Sequence, residues 1–310
     1  MSNLAAILAA LVPLFALIVL GTGLARWRFP GEAFWPLLER FIYFVLFPAL
    51  LVEGLATAAL DPARIGPVLL AIALTLMAGS LAVFALQPML RLNGPALSSL
   101  YQGGIRFNTY LGIAIVISVW GETRLAVMAL MIALMIPLVN VGCVLVLSRF
   151  AGGDPSARAL LRSLLTNPLI IACVTGLSIN LSPLSLHPWL ASGLRIAGEA
   201  AVPLGLMSVG AGLVIHRLGA DWAAIVSASS IKLMALPLIA FAIASGLDLS
   251  VPETQVLVVF AALPTATSAY ILARQMGGDH TLVAGMLTVQ TAIAALSLPI
   301  VLSLLTLLSG

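Results

Sequence analysis

Long apolar runs and short polar connections alternate along the whole chain. A helix needs about 20 mostly apolar residues to cross a bilayer core. Ten runs meet that length: roughly 4–25, 34–57, 65–90, 96–119, 124–148, 159–181, 188–214, 221–246, 252–274 and 281–308. The connections are polar and rich in turn residues, as in Arg26-Trp27-Arg28-Phe29-Pro30-Gly31-Glu32, Asp61-Pro62-Ala63-Arg64 and Gly121-Glu122-Thr123-Arg124. The longest, around Gly152-Gly153-Asp154-Pro155, divides the runs into five and five.

Two of the runs are interrupted. Gly103-Gly104-Ile105-Arg106-Phe107-Asn108-Thr109-Tyr110 places a cation, an amide and a glycine pair in the middle of the fourth run. Ala261-Ala262-Leu263-Pro264-Thr265-Ala266-Thr267-Ser268 interrupts the ninth, 157 residues later. Pro264 removes a backbone donor and clashes with the preceding turn. Non-helical backbone at this depth is tolerated where protein or a water-filled cavity shields it from lipid.

The interruptions belong to a wider internal repeat. At an offset of 155, Pro13 matches Pro168, Gly21 matches Gly176, Arg40 matches Arg195 and Pro48 matches Pro203. Beyond them the offset becomes 157: Gly121 matches Gly278, Glu122 matches Asp279, and Arg106–Tyr110 matches Leu263–Thr267. An odd number of spans per half inverts the second half relative to the first. The expected fold is therefore an all-α polytopic membrane protein of ten helices, as two inverted five-helix repeats (1–150 and 151–310) with broken crossover helices 4 and 9. Such paired breaks recur in secondary transporters with a site at the midplane.

Composition agrees. The 310 residues are 62% apolar and 8% charged, with a net charge of +3; soluble domains carry about a quarter charged residues. No basic run or aromatic–basic patch points to nucleic acid. The placement of arginine matters more than the total. Loops after odd-numbered runs hold Arg26, Arg28, Arg91, Arg149, Arg158, Arg162, Arg217 and Arg274; loops after even runs hold Arg64 and Arg124. This asymmetry makes the odd loops cytoplasmic and both termini periplasmic, in the cell inner membrane. Trp27, Trp35, Trp120, Trp189 and Trp222 lie near run ends, as interfacial anchors do. The N-terminus lacks the basic leader and cleavage site of a signal peptide, so the first run is expected to be retained as a span.

Deep charges are the candidate chemistry. Arg106, Glu199 and Lys232 each lie about eleven residues into a run, about 16 Å from its entry and near the centre of a core about 30 Å thick. Charges at that depth are functional by default. Arg106 and Lys232 read as a cationic pocket for an anion, or as members of a structural ion pair. Lys232 is alternatively a titrating group. Glu199 reads as their partner or a proton carrier, or as an ion pair with Arg195 one turn away. Glu53 lies nearer a run end, and Arg40 and Arg195 are shallow enough to snorkel. Asn108, Thr109, Thr265, Thr267 and Ser268 border the breaks. A half-helix that begins there presents unpaired N–H groups and the positive end of its dipole, which favours an anion. Asn140 and Gln290, at similar depth, read as site-lining residues or, in preference, as helix-pairing residues. Cys143 and Cys173 sit in apolar runs as small core residues. His187, His216 and His280 have no ligand spacing, so no metal centre and no cofactor are expected. No nucleophile or metal constellation of an intramembrane enzyme is found.

At these residues the chain resembles the auxin efflux carrier family, typified by the plant PIN proteins and including compact bacterial members. The resemblance rests on Asn108-Thr109, on Pro264 with Tyr270-Ile271-Leu272-Ala273 and Gly277-Gly278-Asp279, and on Phe47-Pro48 with Val202-Pro203. It implies spans 4 and 9 that unwind and cross, a scaffold part and a transport part, export or exchange of organic anions such as indole acetate or small dicarboxylates, and a homodimer. It carries the crossover roles to Asn108, Thr109 and Pro264. Two features differ from plant members: Phe107, not proline, precedes Asn108, and the long cytoplasmic loop is reduced to about residues 149–158. The expected function is secondary transport of a small organic anion by alternating access. Arg106, Asn108, Thr109, Pro264, Thr265, Thr267 and Ser268 form the substrate site, and Glu199 and Lys232 couple protons or balance charge. The alternative is a membrane receptor that binds the ligand without moving it.

Overall fold

The computed structural model describes residues 3–58, 61–152, 161–162, 165–182, 185–213 and 221–308. The loop residues Gly153, Asp154 and Pro155, with Arg158, His216 and Arg217, lie outside the described residues. All regular structure among the described residues is helical: α1 (Asn3–Arg26), α2 (Phe34–Phe41), α3 (Phe47–Ala56), α4 (Pro62–Leu90), α5 (Gly94–Ile105), α6 (Thr109–Trp120), α7 (Leu125–Phe150), α8 (Pro168–Asn180), α9 (Pro188–Ala211), α10 (Trp222–Ser230), α11 (Leu236–Gly246), α12 (Val251–Ala262), α13 (Thr267–Gln275) and α14 (His280–Leu308). A π-helical turn joins α2 to α3 at Ile42–Leu46, and another joins α10 to α11 at Ile231–Ala235.

Among the described residues, eight stretches are long and apolar enough to cross a membrane, nine if the bent pair α12 and α13 forms one span. The protein is therefore a multi-pass membrane protein. The run expected over 159–181 contains α8, whose 13 residues extend about 20 Å at 1.5 Å each. Pro168 at its first turn donates no N–H, and Asn167 Oδ1 caps the turn by accepting from Leu169 N at 2.9 Å, so a new helix starts there. The same device starts α4 and α5, where Asp61 accepts from Ala63 N at 2.9 Å ahead of Pro62 and Asn93 accepts from Ala96 N at 2.9 Å ahead of Pro95. Ser250 and Glu253 make a capping box at α12.

Helices α1, α3, α8 and α9 pack on one another, α1 along α9 and α3 along α8. The helices α4, α5, α7, α10, α11, α12 and α14 form the other group, with the Gly94–Trp120 span the most buried of all. At the α1–α9 crossing the backbones nearly touch. A Cβ on Gly210 would lie 1.8 Å from Ile18 O, and one on Gly21 would lie 2.0 Å from Met207 O. Thr22 Oγ1 fastens the contact by donating to Ile18 O at 3.0 Å and Gly210 O at 2.8 Å. Since the obstacle is backbone, Gly210→Ala forces the two helices apart. It is expected to lower stability by about 3 kcal/mol or more, read as a fall in the melting temperature of the detergent-purified protein; an unchanged melt would contradict this packing. Arg195 of α9 pairs with Glu53 of α3 at 3.0 Å and strengthens the same group.

Candidate functional site

The two interruptions meet at the centre of the bundle. Helix α5 ends at Ile105, and Arg106 turns to an extended conformation (φ −67°, ψ 154°). Helix α12 ends at Ala262, and Leu263 does the same (φ −70°, ψ 147°). Asn108 N donates to Pro264 O at 2.8 Å, so the two buried non-helical segments satisfy one another. Gln290 of α14 completes the junction: its Oε1 accepts from Thr265 N at 2.8 Å and its Nε2 donates to Gly103 O at 3.0 Å. Helices α6 and α13 begin at this junction and aim their positive ends into it.

A cavity of about 1020 Å³ leads from the crossing to one end of the bundle. Its deep wall includes Arg106, Thr109, Thr267 and Ser268; its mouth includes Ala25, Glu32 and Trp35 beside the first loop, and Arg274 and Gln275 at the end of α13. That end carries the first connection, with Arg26 and Arg28, and Arg274 at the end of α13. Arg40, Arg106 and Arg274 face Glu32 and Glu39 around the cavity, an excess of one positive charge. Glu32 also pairs with Arg28 at the surface, at 3.5 Å.

Arg106 is 8% exposed. Its Nη1 donates to Ser268 Oγ at 3.1 Å and its Nη2 to Asn140 Oδ1 at 2.8 Å. Both acceptors are neutral, and no carboxylate forms an ion pair with Arg106 among the described residues. The guanidinium is thus positioned by both halves of the chain and neutralised by neither. A buried cation without a counter-charge is costly, and the cavity opens beside it.

The other sequence-derived residues divide. Thr109, Thr267 and Ser268 line the cavity with Arg106. Asn108 is buried and does not line it; its Oδ1 caps α6 by accepting from Leu111 N at 3.2 Å, while its Nδ2 is buried without a partner, like both amide atoms of Gln102. Thr265 is fully buried, its hydroxyl directed to Gln102 O at 3.4 Å. Pro264 contributes its carbonyl to the crossing. Lys232 is 2% exposed on the π-helical turn behind the breaks, donating to Phe260 O at 3.3 Å with its Nζ 5.9 Å from the Phe107 ring centre. Glu199 is exposed on α9 and lies outside the cavity lining. Both cysteines are free and buried.

Three cavity residues escape the sequence reading. Glu39 accepts a hydrogen bond from Thr267 Oγ1, and Tyr43 and Asn167 line the wall near it. Glu39 sits only five residues into its run, where a charge reads as interfacial, and its repeat position is Leu194, so the repeat gives no signal. Asn140 proves to be a ligand of Arg106 as well as a helix-pairing residue. Residues 6–302 match the profile of the membrane transport protein family, nearly the whole chain. No curated protein matches it. With crossing, cavity and profile in agreement, the chain belongs to the membrane transport protein family, that of the auxin efflux carriers.

Proposed function

We propose that the protein is a secondary transporter that exports or exchanges a small carboxylate across the inner membrane by alternating access. The observation that carries this reading is Arg106, a buried guanidinium held by two neutral oxygens and open to the cavity. One substrate carboxylate takes the remaining face of Arg106, with Thr109, Thr267 and Ser268 orienting it and the positive ends of α6 and α13 adding to the attraction. Asn108, Pro264 and Thr265 hold the crossing in shape. Lys232 sets the charge behind the site and binds the carbonyl end of α12.

The ten-span inverted repeat belongs to the same proposal. Helices α5 and α12 each have 12 residues and begin at Gly94 and Val251, the offset of 157 seen in the sequence. The repeat-related residues Arg106 and Leu263 leave the helix in the same conformation. These matches support two inverted halves, residues 1–150 and 151–310, with both termini periplasmic and the present cavity facing the cytoplasm. The group containing α5 and α12 rocks against the group built on the α1–α9 crossing, and the site passes from one face to the other.

Proteoliposomes loaded with one unlabelled carboxylate from a panel of small mono- and dicarboxylates test this. Labelled compound is expected to accumulate transiently by counterflow. Saturable binding without counterflow would contradict transport and identify a receptor.

A further inference from the structure

Glu39 is a cavity carboxylate for which the transport scheme above has no use. It is half-buried on α2, in the turn before the π-helical segment. Its Oε1 accepts from the hydroxyl of Thr267, the first residue of α13. Helix α2 packs on α9, whereas Thr267 belongs to the crossing. The bond therefore joins the two groups of helices across the cavity. It also occupies a hydroxyl that lines the substrate site.

The charged and titratable groups around Glu39 are few. Arg40 precedes the next turn of its own helix, and its guanidinium lies 5.9 Å from the Phe44 ring centre. Tyr43 of the π turn, Tyr110 of α6, Tyr270 and Arg274 of α13, Arg106 and Glu32 line the same cavity. On α9, Arg195 pairs with Glu53, and Glu199 lies outside the cavity lining. No cation forms an ion pair with Glu39 among the described residues. Among the described residues only the neutral hydroxyl of Thr267 bonds this carboxylate, and the cavity that it lines gives protons a route to it.

We infer that Glu39 is the proton-coupling residue of the carrier, its carboxylate competing with the substrate anion for Thr267. This rests on the anion-transport reading. When a proton from the cavity binds a carboxylate oxygen of Glu39, the negative charge disappears. Thr267 Oγ1 then turns its hydrogen to the incoming substrate carboxylate. The proton leaves to the opposite side after the anion is released, Glu39 recovers its charge, and the bond to Thr267 re-forms. Substrate affinity consequently rises as pH falls, by up to about tenfold per pH unit for one coupled proton. A neutral amide in place of the carboxyl takes away the competing charge and the titration together.

The test is a thermal-shift titration of the purified wild type and Glu39→Gln with small monocarboxylates, from about pH 6 to about pH 8, where a carboxyl of ordinary pKa, about 4, stays ionised. The wild type is expected to bind more weakly at each step toward high pH. Glu39→Gln is expected to show a flat profile and, at the alkaline end, tighter binding than the wild type. A melt without carboxylate separates any loss of stability from this effect, because a merely structural Glu39 would lower the baseline and leave the pH slope intact. Equal slopes in the two proteins would overturn the inference alone. Absence of stabilisation in both proteins at every pH would overturn the anion-transport reading, and the inference with it.

Discussion

Arg106→Ala is expected to abolish measurable carboxylate uptake and to weaken binding by about 2–5 kcal/mol, roughly 30-fold or more. The size follows from what the guanidinium does. It brings a full positive charge to the crossing, where little water screens it, and its two bonded partners, Ser268 Oγ and Asn140 Oδ1, offer no compensating charge. In the proposed scheme the substrate supplies the counter-charge. Arg106→Lys is expected to recover little of the loss. An ammonium lacks the planar fork that spans Asn140 on α7 and Ser268 on α13 while a third face meets a carboxylate. Concentration-dependent uptake of labelled carboxylate into proteoliposomes measures both variants. Wild-type uptake and affinity in Arg106→Ala would remove the anion site from this position.

Gln290→Leu is expected to cost stability on the same scale. The substitution keeps the bulk of the side chain and deletes two hydrogen bonds at once, to Thr265 N at 2.8 Å and Gly103 O at 3.0 Å. Both backbone groups lie at fully enclosed positions between the breaks. Leaving each unpaired costs about 1–3 kcal/mol, so the pair amounts to about 2–6 kcal/mol against a total stability of about 5–15 kcal/mol. Transport is expected to fall as well, because Thr265 and Gly103 flank the segments that carry Thr267 and Arg106. A melt and an uptake assay of the same preparation report the two effects. An unchanged melting temperature would show that the crossing is held by other contacts.

Much of the fold is legible in the sequence because a bilayer leaves the backbone few choices. Apolar run length alone brings the ends of α1, α4, α7 and α14 close to where the structure has them. The two interruptions are visible for a related reason. Arg106, Asn108 and Pro264 are costly in an intact lipid-facing helix, so their presence signals a break. What the pattern does not show is how each polar residue is used. Asn108 reads as a substrate ligand, and the pattern gives no sign that it also caps α6 and bonds its partner segment through its backbone. Gln290 reads as a generic helix-pairing residue, and it fastens both breaks. Glu39 is hidden because depth along the sequence is not depth in the protein: five residues from a helix start is interfacial in lipid, but here the cavity reaches down to it. Glu199 shows the converse, a mid-run charge on an exposed part of α9. Side-chain direction decides such cases, and it follows from packing between residues far apart in the chain.

The most direct test of the central claim is a thermal-shift comparison of the wild type and Arg106→Ala against small carboxylates, neutral compounds and cations. At a hundred times its dissociation constant, a ligand raises stability by about 2.7 kcal/mol. The account predicts that at least one carboxylate stabilises the wild type by that order, that none stabilises Arg106→Ala, and that neutral and cationic compounds leave both unchanged. Stabilisation by neutral or cationic compounds alone, equal in both proteins, would contradict it and make Arg106 a structural charge.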